Sequence, residues 1–301
     1  MNNKRPIILN DHMKGVSSDP ERSAPVYESS SLIWCRLGGA ARALLLFIWI
    51  IGGLLLELLL FVWLPWGAVK RNLIQGWHRG VLKILRVKVC LSGQYDRQQT
   101  IACANHISWL DVIVIGASFP ACFISKLDVK SWPIIGRLAT LAGTIYVDRG
   151  GKNLANVQRE MQRCLRAQNT LVFFPEGTTS SGDSVEPFKP TLFRVAVAEG
   201  VPVQPLHLAY RSHHNNAQST ADQRSIAYID DDHFLKHLWQ RLKGSPTVAH
   251  ITVLPIIQVP ALRGLNVAGT RTERESKTLK AIARDLSEEA RMAILAVHES
   301  C

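Results

Sequence analysis

Residues 144–174 read TIYV-DRGGKN-LANVQREMQRCLRAQN-TLVFF: a β-rich run, a polar turn, a helical stretch and a second β-rich run. In the helical stretch Leu154, Val157, Met161, Cys164 and Leu165 recur at helical spacing, and Arg159, Arg163 and Arg166 fall largely off that stripe. A strand, a helix and a second strand in so short a span imply α/β packing with parallel strands.

Outward from this unit the alternation continues. Upstream, β-rich runs stand at Lys88–Leu91, Thr100–Ala104 and Cys122–Ser125; downstream they stand at Val203–Leu208, Ser225–Ile229 and His250–Val253. Leu192, Val195, Ala196 and Glu199 suit a helix stopped by Gly200 and Pro202. Glu273–Val297 carries Leu279, Ile282, Ala283, Leu286 and Ala290 at helical spacing. No internal repeat or linker divides this part. The expected fold is a mixed, mainly parallel sheet flanked by helices, in one α/β domain over residues 80–301, preceded by an N-terminal helical membrane anchor.

Residues 1–31 are polar, rich in Ser, Pro, Asp and Glu, and read as a mobile tail. Residues 32–79 read as the membrane-anchoring helical segment. Its centre, Ala43–Leu64, is interrupted only by Gly52, Gly53 and Glu57. As a helix rising ~1.5 Å per residue it reaches about 33 Å, enough for a ~30 Å hydrocarbon core. Arg36 and Arg42 precede it and Lys70, Arg71, Arg79, Lys83, Arg86 and Lys88 follow, so charge asymmetry sets no orientation. The glycine pair and Glu57 leave two arrangements open: one spanning helix, or two short arms dipping into one leaflet.

The composition narrows the partners. With 47% hydrophobic and 20% charged residues the chain is neither disordered nor of low complexity. Lys and Arg number 35 against 24 Asp and Glu, a formal charge of +11 that points to a polyanion. Beside the apolar segment, that polyanion is an anionic membrane surface rather than nucleic acid. The six cysteines form no CxxC pair and read as reduced core thiols.

Four clusters carry the candidate chemistry. Asn105-His-Ile-Ser-Trp-Leu-Asp111 directly follows a β run, where active sites gather in α/β sheets. A loop at His106 entering a helix near Asp111 lets the carboxylate reach the imidazole, fix its tautomer and leave the other nitrogen to take a proton from a hydroxyl. A structural histidine beside a capping aspartate is the alternative. Ser108 invites a Ser-His-Asp triad, but no GxSxG elbow exists. Gly143-Thr-Ile-Tyr-Val-Asp-Arg149 delivers an arginine to a strand end, either as a phosphate ligand or as a surface arginine at a turn. Phe173-Phe-Pro-Glu-Gly-Thr178 runs into a sequence close to a P-loop, but Asp183 stands at the lysine position and would repel phosphate. Val201-Pro-Val-Gln-Pro205 reads as the shaping of a strand entrance.

In this order the four clusters resemble the motifs of the glycerolipid acyltransferase family, most of all its 1-acyl-sn-glycerol-3-phosphate acyltransferases, over about residues 80–255. The resemblance implies acyl transfer from acyl-CoA or acyl-carrier protein to a lysolipid hydroxyl, giving phosphatidic acid where the acceptor is lysophosphatidic acid. It implies His106 as base and Asp111 as its orienting partner. Arg149 falls to the acceptor phosphate, and Glu176, Gly177 and Thr178 to acceptor binding. Lys126 matches a frequent family lysine and adds charge to that site. No cofactor and no metal is implied; the donor is a co-substrate. The implied place is the cytoplasmic face of a membrane, the inner membrane in a Gram-negative cell. Phe188-Lys-Pro-Thr-Leu192 departs from the commoner Phe-Lys-x-Gly pattern near the acceptor pocket.

Lysophosphatidic acid is the expected acceptor because Arg149, Lys126 and the overall basicity suit a phosphomonoester; lyso-ornithine lipid is the alternative. Two further readings fit the residues less well. A nonenzymatic lipid-binding protein leaves the His106–Asp111 pair without a task. A zinc hydrolase could draw on His213, His214, His233 and His237, but the HExxH glutamate is absent and Asp230–Asp232 before Phe234 suits the start of a plain surface helix.

Overall fold

The computed structural model describes residues 25–27, 38–56, 67–96, 100–148, 154–167, 170–212, 223–229, 232–259 and 273–300. In chain order the elements are β1 (Pro25–Tyr27), α1 (Gly39–Leu56), α2 (Ala68–Leu85), β2 (Val87–Ser92), β3 (Ile101–Ala104), α3 (Leu110–Ser118), β4 (Ala121–Lys126), a 3₁₀ turn (Leu127–Ser131), α4 (Ile135–Leu141) and β5 (Ile145–Val147). They continue with α5 (Leu154–Arg166), β6 (Thr170–Phe173), α6 (Phe193–Glu199), β7 (Val203–Ser212), α7 (Phe234–Lys243), β8 (Thr247–Val253) and α8 (Glu273–Ser300).

The strands form one sheet in the order β1-β2-β8-β7-β3-β6-β4-β5. From β7 to β5 every neighbouring pair is parallel. β8 turns antiparallel to β7, and β2 runs parallel to β8. All four residues of β3 and all four of β6 are buried, as strands covered on both faces must be. Their alternation divides the core. Ile101, Cys103, Leu171 and Phe173 face a layer with Met161 of α5, Phe193 of α6 and Leu279 of α8. Ala102, Ala104 and Val172 face Leu82 of α2 and Ile115 of α3.

The helices follow from the patterns read above. Val157, Met161, Cys164 and Leu165 are buried while Arg159, Arg163 and Arg166 are exposed. Gly200 ends α6 at φ 63°, a left-handed cap that glycine adopts without steric cost. Cys103, Cys122 and Cys164 are buried free thiols.

Three expectations change. Ser225–Ile229 is a turn and loop, because β7 and β8 pair directly from Leu206↔Val253 to Ser212↔Thr247 and leave no edge between them. The segment folds over the loop after β3 instead, burying Ile226 and Ala227 and donating Tyr228 N–H to Ile107 O at 3.0 Å. Within the stretch read as a polar tail, Pro25–Tyr27 pairs antiparallel with β2, whose edge would otherwise be open. The division at residues 79 and 80 falls inside α2, since Val81, Leu82, Ile84 and Leu85 are buried in the core and the helix cannot stop before them.

α1 packs along α2. The Trp49 indole donates to Trp77 O at 3.1 Å and the Trp77 indole to Trp49 O at 3.4 Å. Gly80 lies against Trp49 and Gly53 against Trp77, so close that a Cβ at either would stand 2.2 Å and 2.6 Å from the indole. The outward face of α1 carries Leu44, Phe47, Ile48 and Leu55, all exposed, and the helix is long and apolar enough to cross a membrane. Glu57, Trp63 and Trp66 lie outside the described residues.

Candidate active site

Four parallel strands, β3, β6, β4 and β5, bring their carboxyl ends to one edge of the sheet. The chain leaves β3 into Asn105 and His106, leaves β6 into Phe174-Pro-Glu-Gly-Thr178, and ends β4 at Lys126. The first and third sequence clusters and Lys126 therefore meet at one edge because the sheet is parallel, not because they are near in sequence.

His106 occupies the short loop between β3 and α3. Asp111, in the first turn of α3, is fully buried and its Oδ2 lies 2.8 Å from His106 Nδ1. The same oxygen accepts the N–H of Ile107 at 2.7 Å and of Ser108 at 2.9 Å, so the loop wraps around one carboxylate oxygen. Oδ1 accepts the Tyr210 hydroxyl at 2.6 Å. Tyr210 comes from β7, is fully buried, and its phenol is pushed well above its ordinary range by that burial and by the Asp111 charge. It therefore stays a proton donor. With Nδ1 paired to Asp111, Nε2 is the ring nitrogen left outside that pair.

The rest of the loop is pinned from other strands. Asn105 exchanges two hydrogen bonds with the Leu208 backbone of β7, at 3.0 Å and 2.7 Å. His106 O accepts Ser180 N–H at 2.8 Å. The Phe174 ring stacks on the imidazole with centroids 3.9 Å apart. Ser108 is fully buried, with its hydroxyl unpaired among the described residues and not bonded to His106, so no serine triad forms.

Glu176 is buried and its Oε1 accepts the His106 backbone N–H at 2.8 Å. Burial first, and the nearby Asp111 charge second, push its carboxyl up to about 8. Near neutral pH it is thus mostly protonated, a neutral acceptor behind the loop. Gly177 turns the chain at φ 73°, where Lys189 Nζ would stand 2.6 Å from a Cβ. Thr178 and Lys189 are exposed beside this turn. Lys126 is exposed and stands in register with Val147 of β5, two residues before Arg149, which itself lies outside the described residues.

The remaining sequence candidates fall elsewhere. Gln204 is buried and joins Asp96 N, Gln94 O and Leu254 O, a structural task for the fourth cluster. Asp183 pairs with Arg224 at 2.9 Å on the surface. His237, expected on a plain surface helix, is buried: α7 is tied into the domain by Trp109 Nε1–H donating to His237 Nδ1 at 3.1 Å. Burial lowers the His237 pKa, which keeps that nitrogen an acceptor. His213 and His214 lie outside the described residues. Tyr210 escaped the sequence reading because nothing local distinguishes it from other residues of an apolar strand. Lys189 could have been noticed within Phe188-Lys-Pro-Thr-Leu192.

A family model described as Acyltransferase matches residues 86–209. A lyso-ornithine lipid O-acyltransferase of Pseudomonas aeruginosa is 33% identical over 186 residues, covering 62% of this chain and 70% of that protein. A 1-acyl-sn-glycerol-3-phosphate acyltransferase of Neisseria meningitidis is 37% identical over 135 residues, covering 44% of this chain and 53% of that protein. The crystal structure of the 1-acyl-sn-glycerophosphate acyltransferase of Thermotoga maritima superposes with a TM-score of 0.49 at 19% identity, over 83% of this chain and 97% of that one.

Proposed function

This chain belongs to the glycerolipid acyltransferase family, and we propose that it moves a fatty acyl group from acyl-CoA or acyl-carrier protein to the hydroxyl of a membrane lysolipid. The observation that carries the reading is the imidazole of His106 held at 2.8 Å by a buried carboxylate. In this reaction the acceptor hydroxyl gives its proton to His106 Nε2 as its oxygen attacks the thioester carbonyl. Asp111 stabilises the imidazolium that results. The tetrahedral intermediate collapses with cleavage of the C–S bond, and the proton passes from Nε2 to the leaving thiolate. A thioester is already activated, so the reading needs positioning and a base, with no cofactor or covalent enzyme intermediate.

Two acceptors rest on different observations. Lysophosphatidic acid draws support from Lys126 and Lys189 at the rim and from Arg149 in the sequence. Lyso-ornithine lipid draws support from the relative of that name, whose similarity covers 62% of this chain against 44% for the Neisseria protein. We favour the lyso-ornithine reading. The test is thiol release from acyl-CoA and from acyl-carrier protein by purified protein with each lysolipid in turn. Greater kcat/KM for lyso-ornithine lipid supports it, greater kcat/KM for lysophosphatidic acid reverses the choice, and release with neither removes the activity.

The anchor in this reading is α1, and the domain sits on the cytoplasmic face, where both donors are soluble. Labelling of cysteines placed at Asp19 and Lys88 from the same side supports two arms in one leaflet, and labelling from opposite sides supports a spanning helix.

A further inference from the structure

α7 has two faces with different fates. His237, Arg241 and Leu242 are buried inward, and Thr247 accepts from the Arg241 guanidinium at 2.8 Å. One turn apart on the outward face, Leu235 is 64% and Trp239 41% exposed, between the exposed Lys236, Gln240 and Lys243. The Lys243 ammonium lies 5.3 Å from the Trp239 ring. Among the described residues, packing accounts for the first face only. Leucine and tryptophan flanked by lysines is the composition of a helix lying in a lipid interface.

The position of α7 says which surface covers it. Its C-terminal end packs against the start of α1, with the Lys243 side chain directly over Gly39. Its outward face is thus continuous with the helix that carries the exposed apolar stripe. At its other end Phe234 meets Trp109 of the catalytic loop edge to face at 5.4 Å, and Trp132 at 6.5 Å. Trp132 and Ile134, in the turn after β4, are themselves exposed.

We propose that α7, together with Trp132 and Ile134, is a second membrane-contacting surface that seats the catalytic loop against an anionic bilayer. This rests on the membrane-bound reading above and adds to it a contact outside the N-terminal anchor. Leu235 and Trp239 enter the headgroup–acyl boundary, their lysines meet lipid phosphates, and Trp109, bonded to His237, carries that seating to the loop of His106. A lysolipid then reaches the imidazole from within the leaflet.

The test places the photo-crosslinker p-benzoylphenylalanine at Leu235, at Phe47 of α1 and at Lys280 on the exposed side of α8, in the full chain. The protein is reconstituted in nanodiscs of phosphatidylethanolamine and phosphatidylglycerol, and adducts are identified by mass spectrometry. Lipid adducts at Leu235 and Phe47, with Lys280 unreacted, are the expected result. Adducts at Phe47 alone leave the anchor standing and overturn this proposal. Adducts at none of the three overturn the membrane reading itself. Adducts from Leu235 to a second copy, or to another part of the same chain, also overturn the proposal. A Leu235→Glu, Trp239→Glu double substitution adds a functional arm. Apparent acceptor KM in the bilayer should rise about tenfold or more, the loss expected when large apolar side chains cannot be buried. The KM for the same acceptor in detergent micelles should stay unchanged.

Discussion

The loop Asn105–Asp111 and the exposed rim beside it are built in opposite ways. The loop is tied from two strands: Asn105 and Asp111 to β7, and His106 O and N–H to Ser180 and Glu176 in the segment after β6. Its key carboxylate is fully buried. Across the same sheet edge Lys126, Thr178 and Lys189 are exposed. Buried polar groups must be satisfied, so any change in the loop strands a partner. Surface cations can be exchanged at little structural cost. On the proposed reading, the difference teaches that proton transfer belongs to the fold, whereas choice of acceptor is adjusted at its rim.

The largest test of that contrast lies in the loop. His106→Ala should lower kcat by a factor on the order of 10²–10⁴, the worth of a positioned base. Asp111→Asn should lose much of the same factor, and the double variant should be little worse than His106→Ala alone. Near-wild-type turnover in steady-state assays of His106→Ala would break the comparison at its stronger end.

Next comes the rim. For a phosphomonoester held by an arginine fork, Arg149→Lys should raise acceptor KM roughly ten- to a hundred-fold, the worth of a charge-assisted hydrogen bond. For the phosphate-free acceptor favoured here, the expected outcome is donor and acceptor KM moving by similar small amounts. Measuring both constants decides which.

Tyr210→Phe sharpens the contrast from within. It leaves Asp111 Oδ1 buried without its donor, at a cost of ~1.5–3 kcal/mol in stability by denaturant unfolding. Because the phenol acts through Asp111, kcat should fall roughly tenfold with KM unchanged. A stability loss with unaltered kcat would make Tyr210 structural only.

The smallest effect is one of pH. Glu176 has a folded pKa raised from 4.5 to about 8, so its protonated form is the one the fold favours. Its contribution to stability is fully present below 4.5 and is lost as pH rises through about 8. Glu176→Gln keeps an oxygen for the His106 N–H and cannot ionise. Tm measured between those limits should therefore fall less with rising pH in the variant than in the parent; equal slopes would place the titration elsewhere.

Much of the fold could be read from residues alone. The stripe Val157, Met161, Cys164 and Leu165 and the runs at β3 and β6 carry periods that local geometry imposes. His106 and Asp111 could be paired because five residues across a loop and a helix start bring them within reach. Ser225–Ile229 shows the limit: its β-rich composition is real, but a strand needs a free edge, and β7 and β8 had closed theirs. Tyr210 shows the same limit at the site, being 99 residues from the carboxylate that it bonds.

The sequence by itself determined the α/β alternation, the apolar N-terminal helix and the placement of polar clusters at strand ends. These depend on side-chain period and turn chemistry, which act over a few residues. Only the tertiary structure decided that β7 lies beside β3, that Glu176 sits behind the His106 backbone, and that α7 packs on α1 at one end and meets Trp109 at the other. Strand order and helix docking come from burying surfaces distant in the chain, and no local pattern encodes which distant surface will be met.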